Sequence, residues 1–199
     1  MAWWREARFG MFIHWGPYAV WGGDYHGYLS RVGGPAWMMN RCKVPVKEYQ
    51  EMTRTFNPIK YNPEEWVLLA QNAGMKYIII TAKHHDGFAM FKSNASNYNI
   101  VDFTPYGKDV LDGLAKACRK YKMKLGFYYS QAQDWNNPGG ATHRRPTLSI
   151  MLPFLLTISI RLSTICPAVM RSLSFACPIT AEFIPASPPS SLMFREFPM

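Results

Sequence analysis

The 199-residue chain has the length of one ordinary domain, 48% hydrophobic residues and a formal net charge of +9. Its basic residues are scattered, and the longest basic cluster, residues 119–124, lies at the end of a predicted helix, where cations interact favourably with the helix dipole. This distribution indicates a solvated helix end and not a nucleic-acid-binding surface. The apolar run 148–160 contains Pro153 and is shorter than the roughly 20 residues that cross a bilayer, so we expect no membrane span.

The composition changes abruptly near Pro146. Residues 1–146 contain all 14 Gly, all 5 His, all 7 Trp and all 11 Tyr, whereas residues 147–199 contain none of these but hold 7 of the 15 Pro. We therefore predict a structured region over 1–146 and an anomalous, irregular tail over 147–199. The tail is interpreted as a frame-shifted or wrongly joined translation, with a disordered Pro/Ser-rich extension as the alternative.

Strand and helix patterns alternate over the first 146 residues. The opening Met-Ala-Trp-Trp-Arg-Glu shows no secretory signal and leads directly into a strand pattern. In chain order we predict a strand over 9–15, a Gly-rich excursion over 18–39, helices over 46–56 and 63–73, a strand over 75–82, a helix over 109–121 and a strand over 123–129. The helix over 63–73 carries the clearest boundary signals, with Asn62 as N-cap and Gly74 at its end.

Strands separated by helices predict a parallel sheet with crossover connections. The three predicted strands and their spacing are typical of the first units of a (β/α)8 barrel, and a complete barrel takes about 250 residues. The predicted fold is therefore α/β, an incomplete (β/α)8 TIM-like barrel with its first strands and helices only, followed by the irregular tail. No Gly-x-Gly-x-x-Gly pattern or phosphate-binding loop follows a strand, which disfavours a nucleotide-binding fold.

Histidines lie where two of the predicted strands end. His14 closes the first strand, and His84 and His85 follow the second. A single strand histidine is often structural, whereas two adjacent imidazoles need polar partners that packing alone does not supply. A metal site is one alternative, but consecutive strand residues point to opposite faces, so adjacent ligands converge only where the strand has ended. We favour hydrogen bonding to a hydroxyl-rich ligand, and expect no metal and no cofactor.

Aromatic and acidic residues follow the third strand at Tyr128, Tyr129, Asp134 and Trp135. Aromatic faces beside hydrogen-bonding groups suit a sugar ring, although each aromatic residue could equally pack in the wall of the barrel. Asp86 and Asp134 are the carboxylates nearest the predicted cleft and are weak candidates for acid/base catalysis. Each of them could equally cap a turn.

Four segments of the chain carry a family resemblance. They are residues 7–16 (Ala-Arg-Phe-Gly-Met-Phe-Ile-His-Trp-Gly), 37–45 (Trp-Met-Met-Asn-Arg-Cys-Lys-Val-Pro), 83–88 (Lys-His-His-Asp-Gly-Phe) and 128–135 (Tyr-Tyr-Ser through Asp-Trp). In this order and spacing they resemble the N-terminal part of the catalytic domain of glycoside hydrolase family 29, the α-L-fucosidases. The resemblance runs from about residue 3 to about residue 145.

The resemblance implies a (β/α)8-type catalytic domain that hydrolyses terminal α-L-fucose from glycans with retention. It carries substrate-binding roles onto His14, Trp37, His84, His85 and Tyr128. The family's nucleophile is an Asp in a Trp-x-Asp pattern after a later strand, and its acid/base carboxylate lies further on. No Trp-x-Asp occurs in this sequence and residues 147–199 contain no Asp, so we predict that the chain is truncated and inactive.

One residue departs from the family pattern inside a matched segment. The family has Glu directly before the Trp of Trp-Met-Met-Asn, whereas this chain has Ala36. A buried sugar hydroxyl that loses its carboxylate acceptor costs about 1–3 kcal/mol. We therefore expect weaker substrate affinity than the family pattern would give.

The expected partner is a fucosylated glycan or glycoside, with no nucleic acid and no membrane. The family likeness suggests a secreted, periplasmic or lysosomal setting. Two alternatives stay open: a non-catalytic module that binds fucose or another carbohydrate with the same residues, and a metal-dependent barrel hydrolase that uses His14, His84 and His85.

Overall fold

A computed structural model describes residues 2–29 and 33–140. The predicted boundary after Pro146 and the predicted tail over 147–199 lie outside the described residues. Within them the chain is an α/β structure whose main sheet is parallel, as the alternating sequence patterns predict. The continuation of this sheet into a barrel remains a prediction.

The predicted helices and strands occur in their predicted order with small shifts at their ends, and two further helices and two further strands occur among the described residues. The helices are α1 (Ala2–Ala7), α2 (Met38–Arg41), α3 (Val46–Thr53), α4 (Pro63–Asn72) and α5 (Val110–Lys120). The strands are β1 (Met11–Ile13), β2 (Asp24–Tyr25), β3 (Tyr28–Leu29), β4 (Tyr77–Lys83) and β5 (Lys124–Tyr129). Short 3-10 turns cover Pro17–Ala19 and Pro35–Trp37.

The first helix and the small hairpin depart from the sequence analysis. A strand is expected almost at the start of the chain, but α1 comes first, because Trp3 and Trp4 pack their rings against Tyr77 with centroid distances of 6.3 and 4.5 Å. The Gly-rich excursion contains the antiparallel pair β2 and β3, and the turn between them includes Gly27, whose φ is +82°. Both features depend on contacts or turn geometry that periodicity does not encode.

The main sheet has the strand order β1, β4, β5, and both neighbouring pairs are parallel. Met11 and Ile13 pair with Ile78 and Ile80 on β4, and Thr81 pairs with Tyr128 on β5. The register shifts between Thr81 and Lys83, so the end of β4 is irregular. Because all three strands run the same way, their carboxyl ends lie at one edge of the sheet.

The two long helices begin at side-chain caps, of which the sequence analysis identifies Asn62. The Asn62 side chain accepts hydrogen bonds from the N–H groups of Glu64 and Glu65 at the start of α4. Asp109 accepts one from Asp112 N at the start of α5. After α4 the chain turns at Gly74, whose φ of +80° favours glycine. Capping thus confirms the predicted helices.

Helices α4 and α5 pack against each other and against the sheet, which places the core on one face of the strands. The fully buried side chains of that core include Val67, Ile78, Ile80, Val110 and Leu114. In the described part of the chain, no helix combines the length and apolar character that a membrane crossing requires. The helical layer leaves the carboxyl edge of the strands free to carry the polar and aromatic side chains.

Candidate functional site

Three ring side chains from the three parallel strands meet at their carboxyl edge. His14 directly follows β1, His84 directly follows β4, and Tyr128 is the last residue but one of β5. The ring centroids are 5.4 Å apart for His14 and His84, 6.2 Å for His14 and Tyr128, and 5.8 Å for His84 and Tyr128. The strand topology therefore brings these three sequence-predicted residues together.

His85 joins the same group because β4 ends before the two histidines. The chain leaves the strand at Lys83 and turns, with Gly87 N donating to His84 O at 3.1 Å. The two imidazole centroids lie 4.1 Å apart. The strand alternation that would separate two adjacent side chains does not apply here, since both histidines come after the last strand residue.

Trp37 completes the group from a different part of the chain. It ends the 3-10 turn at Pro35–Trp37, and its ring meets His85 edge-on at 5.1 Å and Trp135 at 5.3 Å. All five predicted substrate-binding residues thus form one contiguous group, which we call the ring cluster: His14, Trp37, His84, His85 and Tyr128. His84 and His85 are buried in it, Trp37 and Tyr128 are half-buried, and His14 is exposed.

The three imidazoles are held neutral. Burial, with the neighbouring charges of His85, His14 and Lys83, lowers the pKa of His84 to about 2. Burial, with Lys83 and His14, lowers the pKa of His85 to about 4, and burial also lowers the pKa of His14. At neutral pH each ring therefore offers one N–H donor and one lone-pair acceptor, which is the pattern that hydroxyl groups require.

A polar network beneath His85 joins the ends of β4 and β5. The buried Lys83 Nζ lies 3.0 Å from Asp134 Oδ2 and donates to Ser130 O at 3.1 Å. Ser130 N donates to Lys83 O at 2.9 Å, and Ser130 Oγ lies 2.7 Å from His85 Nδ1. Trp135 N donates to His85 O at 2.7 Å. The loop after β5 is therefore fixed to the segment that carries the two histidines.

The two candidate acid/base carboxylates are both engaged by protein groups. Asp86 is buried, with Oδ2 accepting from the Tyr49 hydroxyl at 2.9 Å and Oδ1 accepting from Phe88 N at 3.2 Å. Burial raises the pKa of Asp86 to about 6, against the opposing effect of these hydrogen bonds. The geometry of Asp86 is that of the turn cap weighed from the sequence, while Asp134 pairs with Lys83. A catalytic role for either carboxylate remains a prediction.

Other aromatic residues near the strand ends divide between the two faces of the sheet. Phe12 stacks on His14 at 4.8 Å, and the buried Tyr18 meets His84 at 5.8 Å. Trp15 and Tyr129 instead pack in the core on the opposite side. The sequence analysis does not single out Phe12 or Tyr18. The two-residue spacing of Phe12 and His14 on one strand could have identified the first, whereas no sequence signal marks the second.

Over residues 2–29 and 33–140, no group of three or more His, Cys, Asp or Glu side chains has an arrangement that could hold a metal ion. His14, His84 and His85 are close in space without forming such a group.

Comparison with known proteins gives a consistent result. The family model described as alpha-L-fucosidase matches residues 1–152. Tissue alpha-L-fucosidase from Rattus norvegicus is 36% identical over 142 residues, which are 68% of this chain and 30% of that protein; the Homo sapiens enzyme is 36% identical over 143 residues. The chain thus spans about a third of the length of these curated relatives.

Solved structures agree with the sequence relatives. Unliganded alpha-L-fucosidase AlfC from Lactobacillus casei is 42% identical, with a TM-score of 0.67 over 70% of this chain and 42% of that one. Alpha-L-fucosidase from Vibrio sp. strain EJY3 is 38% identical, with a TM-score of 0.66 over 69% of this chain and 24% of that one. The family match covers more than half of the present chain, so this chain belongs to the alpha-L-fucosidase family.

Proposed function

We propose that this chain binds the α-L-fucosyl group of a glycan in the ring cluster. We further propose that the protein to which it belongs hydrolyses terminal α-L-fucose with retention, on a (β/α)8 barrel that the three parallel strands begin. The observation that carries the proposal is the convergence of five ring side chains from separate segments at one edge of the sheet. Membership of the alpha-L-fucosidase family supports the reaction, and an AlfC variant has been solved with Fuca(1,6)GlcNAc.

The chemistry of the ring cluster suits a deoxy-hexose. Neutral imidazoles can each accept and donate one hydrogen bond, which matches the hydroxyl edge of the sugar. The half-buried rings of Trp37 and Tyr128 can pack against its C–H groups. His84 Nδ1 is buried with no hydrogen-bond partner among the described residues, so this nitrogen is available to a hydroxyl of the sugar.

Hydrolysis requires more than binding. A retaining glycosidase places two carboxyl groups roughly 5–5.5 Å apart across the glycosidic bond. Asp86 accepts hydrogen bonds from Tyr49 and Phe88, and Asp134 Oδ2 pairs with Lys83, while Asp134 Oδ1 has no hydrogen-bond partner among the described residues. The 199-residue sequence contains no Trp-x-Asp. We therefore propose that the 199-residue chain binds fucose without hydrolysing the fucosidic bond.

The binding proposal is tested by isothermal titration calorimetry of the purified chain with L-fucose. L-Rhamnose, another 6-deoxy-L-hexose with different hydroxyl orientations, is the ligand control. We expect His14→Asn to weaken fucose binding, and the matched change His26→Asn at another exposed histidine to leave it unaltered. Asn is used at both positions because it tolerates the positive φ of His26. Equal affinity for both sugars, or no binding, would overturn the proposal.

The catalytic part is tested separately. We expect no release of nitrophenol from 4-nitrophenyl α-L-fucoside by the purified chain; turnover at ordinary glycosidase rates would refute this and direct attention to Asp86 and Asp134. Reading the encoding DNA beyond codon 146 in all three frames separates the fucosidase from the non-catalytic module. A downstream frame that restores a barrel with Trp-x-Asp favours the fucosidase, and its absence favours the module.

A further inference from the structure

The buried hydroxyl of Ser130 contacts both a backbone carbonyl oxygen and a histidine ring nitrogen, and it can donate only one hydrogen bond. Its Oγ lies 2.8 Å from Gln133 O and 2.7 Å from His85 Nδ1. A backbone carbonyl oxygen can only accept, and donation of the Ser130 hydroxyl hydrogen to Gln133 O is the arrangement that satisfies both contacts at once. In that arrangement Oγ accepts from His85 Nδ1, which carries the ring proton.

The position of Ser130 is fixed on both sides by Lys83. Ser130 N donates to Lys83 O at 2.9 Å, and Ser130 O accepts from Lys83 Nζ at 3.1 Å. Lys83 Nζ is in turn paired with Asp134, and the side chains of this ion pair are only 3% and 8% exposed. The hydroxyl is thus aimed at His85 by a buried network and not by a mobile surface contact.

We propose that Ser130 is a positioning residue that holds His85 in the Nδ1–H tautomer, so that Nε2 accepts a hydrogen bond from a hydroxyl of the bound sugar. The identity of the ligand rests on the proposed function, whereas the tautomer of His85 does not depend on it. Because the pKa of His85 is lowered to about 4, the ring stays neutral at physiological pH and Nε2 keeps its lone pair. Recognition at His85 therefore selects a sugar hydroxyl as donor.

The state of the ring is measured directly by long-range ¹H–¹⁵N NMR of the histidine side chains, with His85→Gln used to assign the signals. In the full, unaltered chain without sugar we expect a pyrrole-type Nδ1 and a pyridine-type Nε2 for His85. Ser130→Ala should lose this pattern, and Ser130→Thr, which keeps a hydroxyl, should retain it. Ser93→Ala removes another buried loop hydroxyl and should leave the His85 signals unchanged. A protonated Nε2 in the unaltered chain would overturn the inference whatever the variants do.

The functional consequence is measured by fucose titration of the unaltered chain and the three serine variants. We expect Ser130→Ala to weaken binding by about tenfold, the value of one hydrogen bond, while Ser130→Thr and Ser93→Ala bind like the unaltered chain. Unchanged affinity in Ser130→Ala together with a switched tautomer would overturn the link to recognition. Absence of fucose binding by the unaltered chain would instead refute the proposed function, and the NMR result would still decide the state of His85.

Discussion

The buried ion pair between Lys83 and Asp134 predicts a large and specific loss of stability in Lys83→Met. The two charged atoms lie 3.0 Å apart with their side chains almost fully buried. Met fills most of the volume of the lysine but leaves the Asp134 carboxylate without its cation in a region shielded from water. Breaking a buried pair from one side typically costs 3–5 kcal/mol, because the remaining charge is not compensated. That loss is a large part of the roughly 5–15 kcal/mol by which a domain is stable.

The assay is urea unfolding followed by tryptophan fluorescence, and two further variants make it decisive. Lys83→Met combined with Asp134→Leu removes both charges, so we expect the double variant to recover most of the stability lost in the single one. Lys116→Met breaks an i,i+4 pair with Asp112 whose lysine side chain is 68% exposed, and should cost at most about 0.5 kcal/mol. A loss in Lys83→Met no larger than that in Lys116→Met would refute the reasoning. So would a double variant less stable than Lys83→Met.

Three further predictions concern turns, caps and pH, and all use the same unfolding assay. Gly74→Ala and Gly87→Ala both place a side chain at positive φ, which lowers the free energy of unfolding by about 1–2 kcal/mol. At Gly87 the added methyl group also overlaps the buried Asp134 carboxylate, so we expect a larger loss of stability there, and equal losses in the two variants would contradict the overlap. Asn62→Ala should cost about 1 kcal/mol by removing the cap of α4, and no loss would show that the cap is dispensable. The pKa of His84 is lowered to about 2, so between pH 6.5 and pH 2 the unfolded chain binds a proton that the folded chain does not, and the free energy of unfolding decreases as the pH is lowered through this range. This decrease should be shallower in His84→Asn and unchanged in the exposed control His26→Asn, where Asn tolerates the positive φ.

Local signals in the sequence are sufficient for the helices and strands of the core. The α4 boundaries follow from the Asn62 cap and the Gly74 turn, which act within one helical turn and need no distant partner. The Ile78-Ile79-Ile80 run predicts β4 because a strand covered on both faces is apolar without alternation. The first helix is not predicted from local signals, since its Trp3 and Trp4 pack on Tyr77, which lies 74 and 73 residues further along the chain.

The network around Ser130 could not be derived from residue types. A serine after a strand is compatible with a turn, a cap or a solvent contact, and the partner His85 lies 45 residues away. Its role depends on the register that sets β5 beside β4 and on the shift between Thr81 and Lys83 that ends their regular pairing. These are properties of two paired strands, so no single segment of the sequence contains them.

At the strand ends, the packing of the helices determines which of two adjacent side chains lies in the core and which lies in the ring cluster. Alternation along β5 places Tyr128 and Tyr129 on opposite faces of the sheet, but it does not say which of them faces the helices. It does not apply to His14 and Trp15, which both come after the last residue of β1. The helices decide, because Trp15 and Tyr129 lie on the face that α4 and α5 cover, where Trp15 meets Trp66 at 5.0 Å. The side chains left on the other face are His14 and Tyr128. The ring cluster is therefore the counterpart of the hydrophobic core: the same packing that places one residue of each pair in the core leaves its neighbour in the ring cluster.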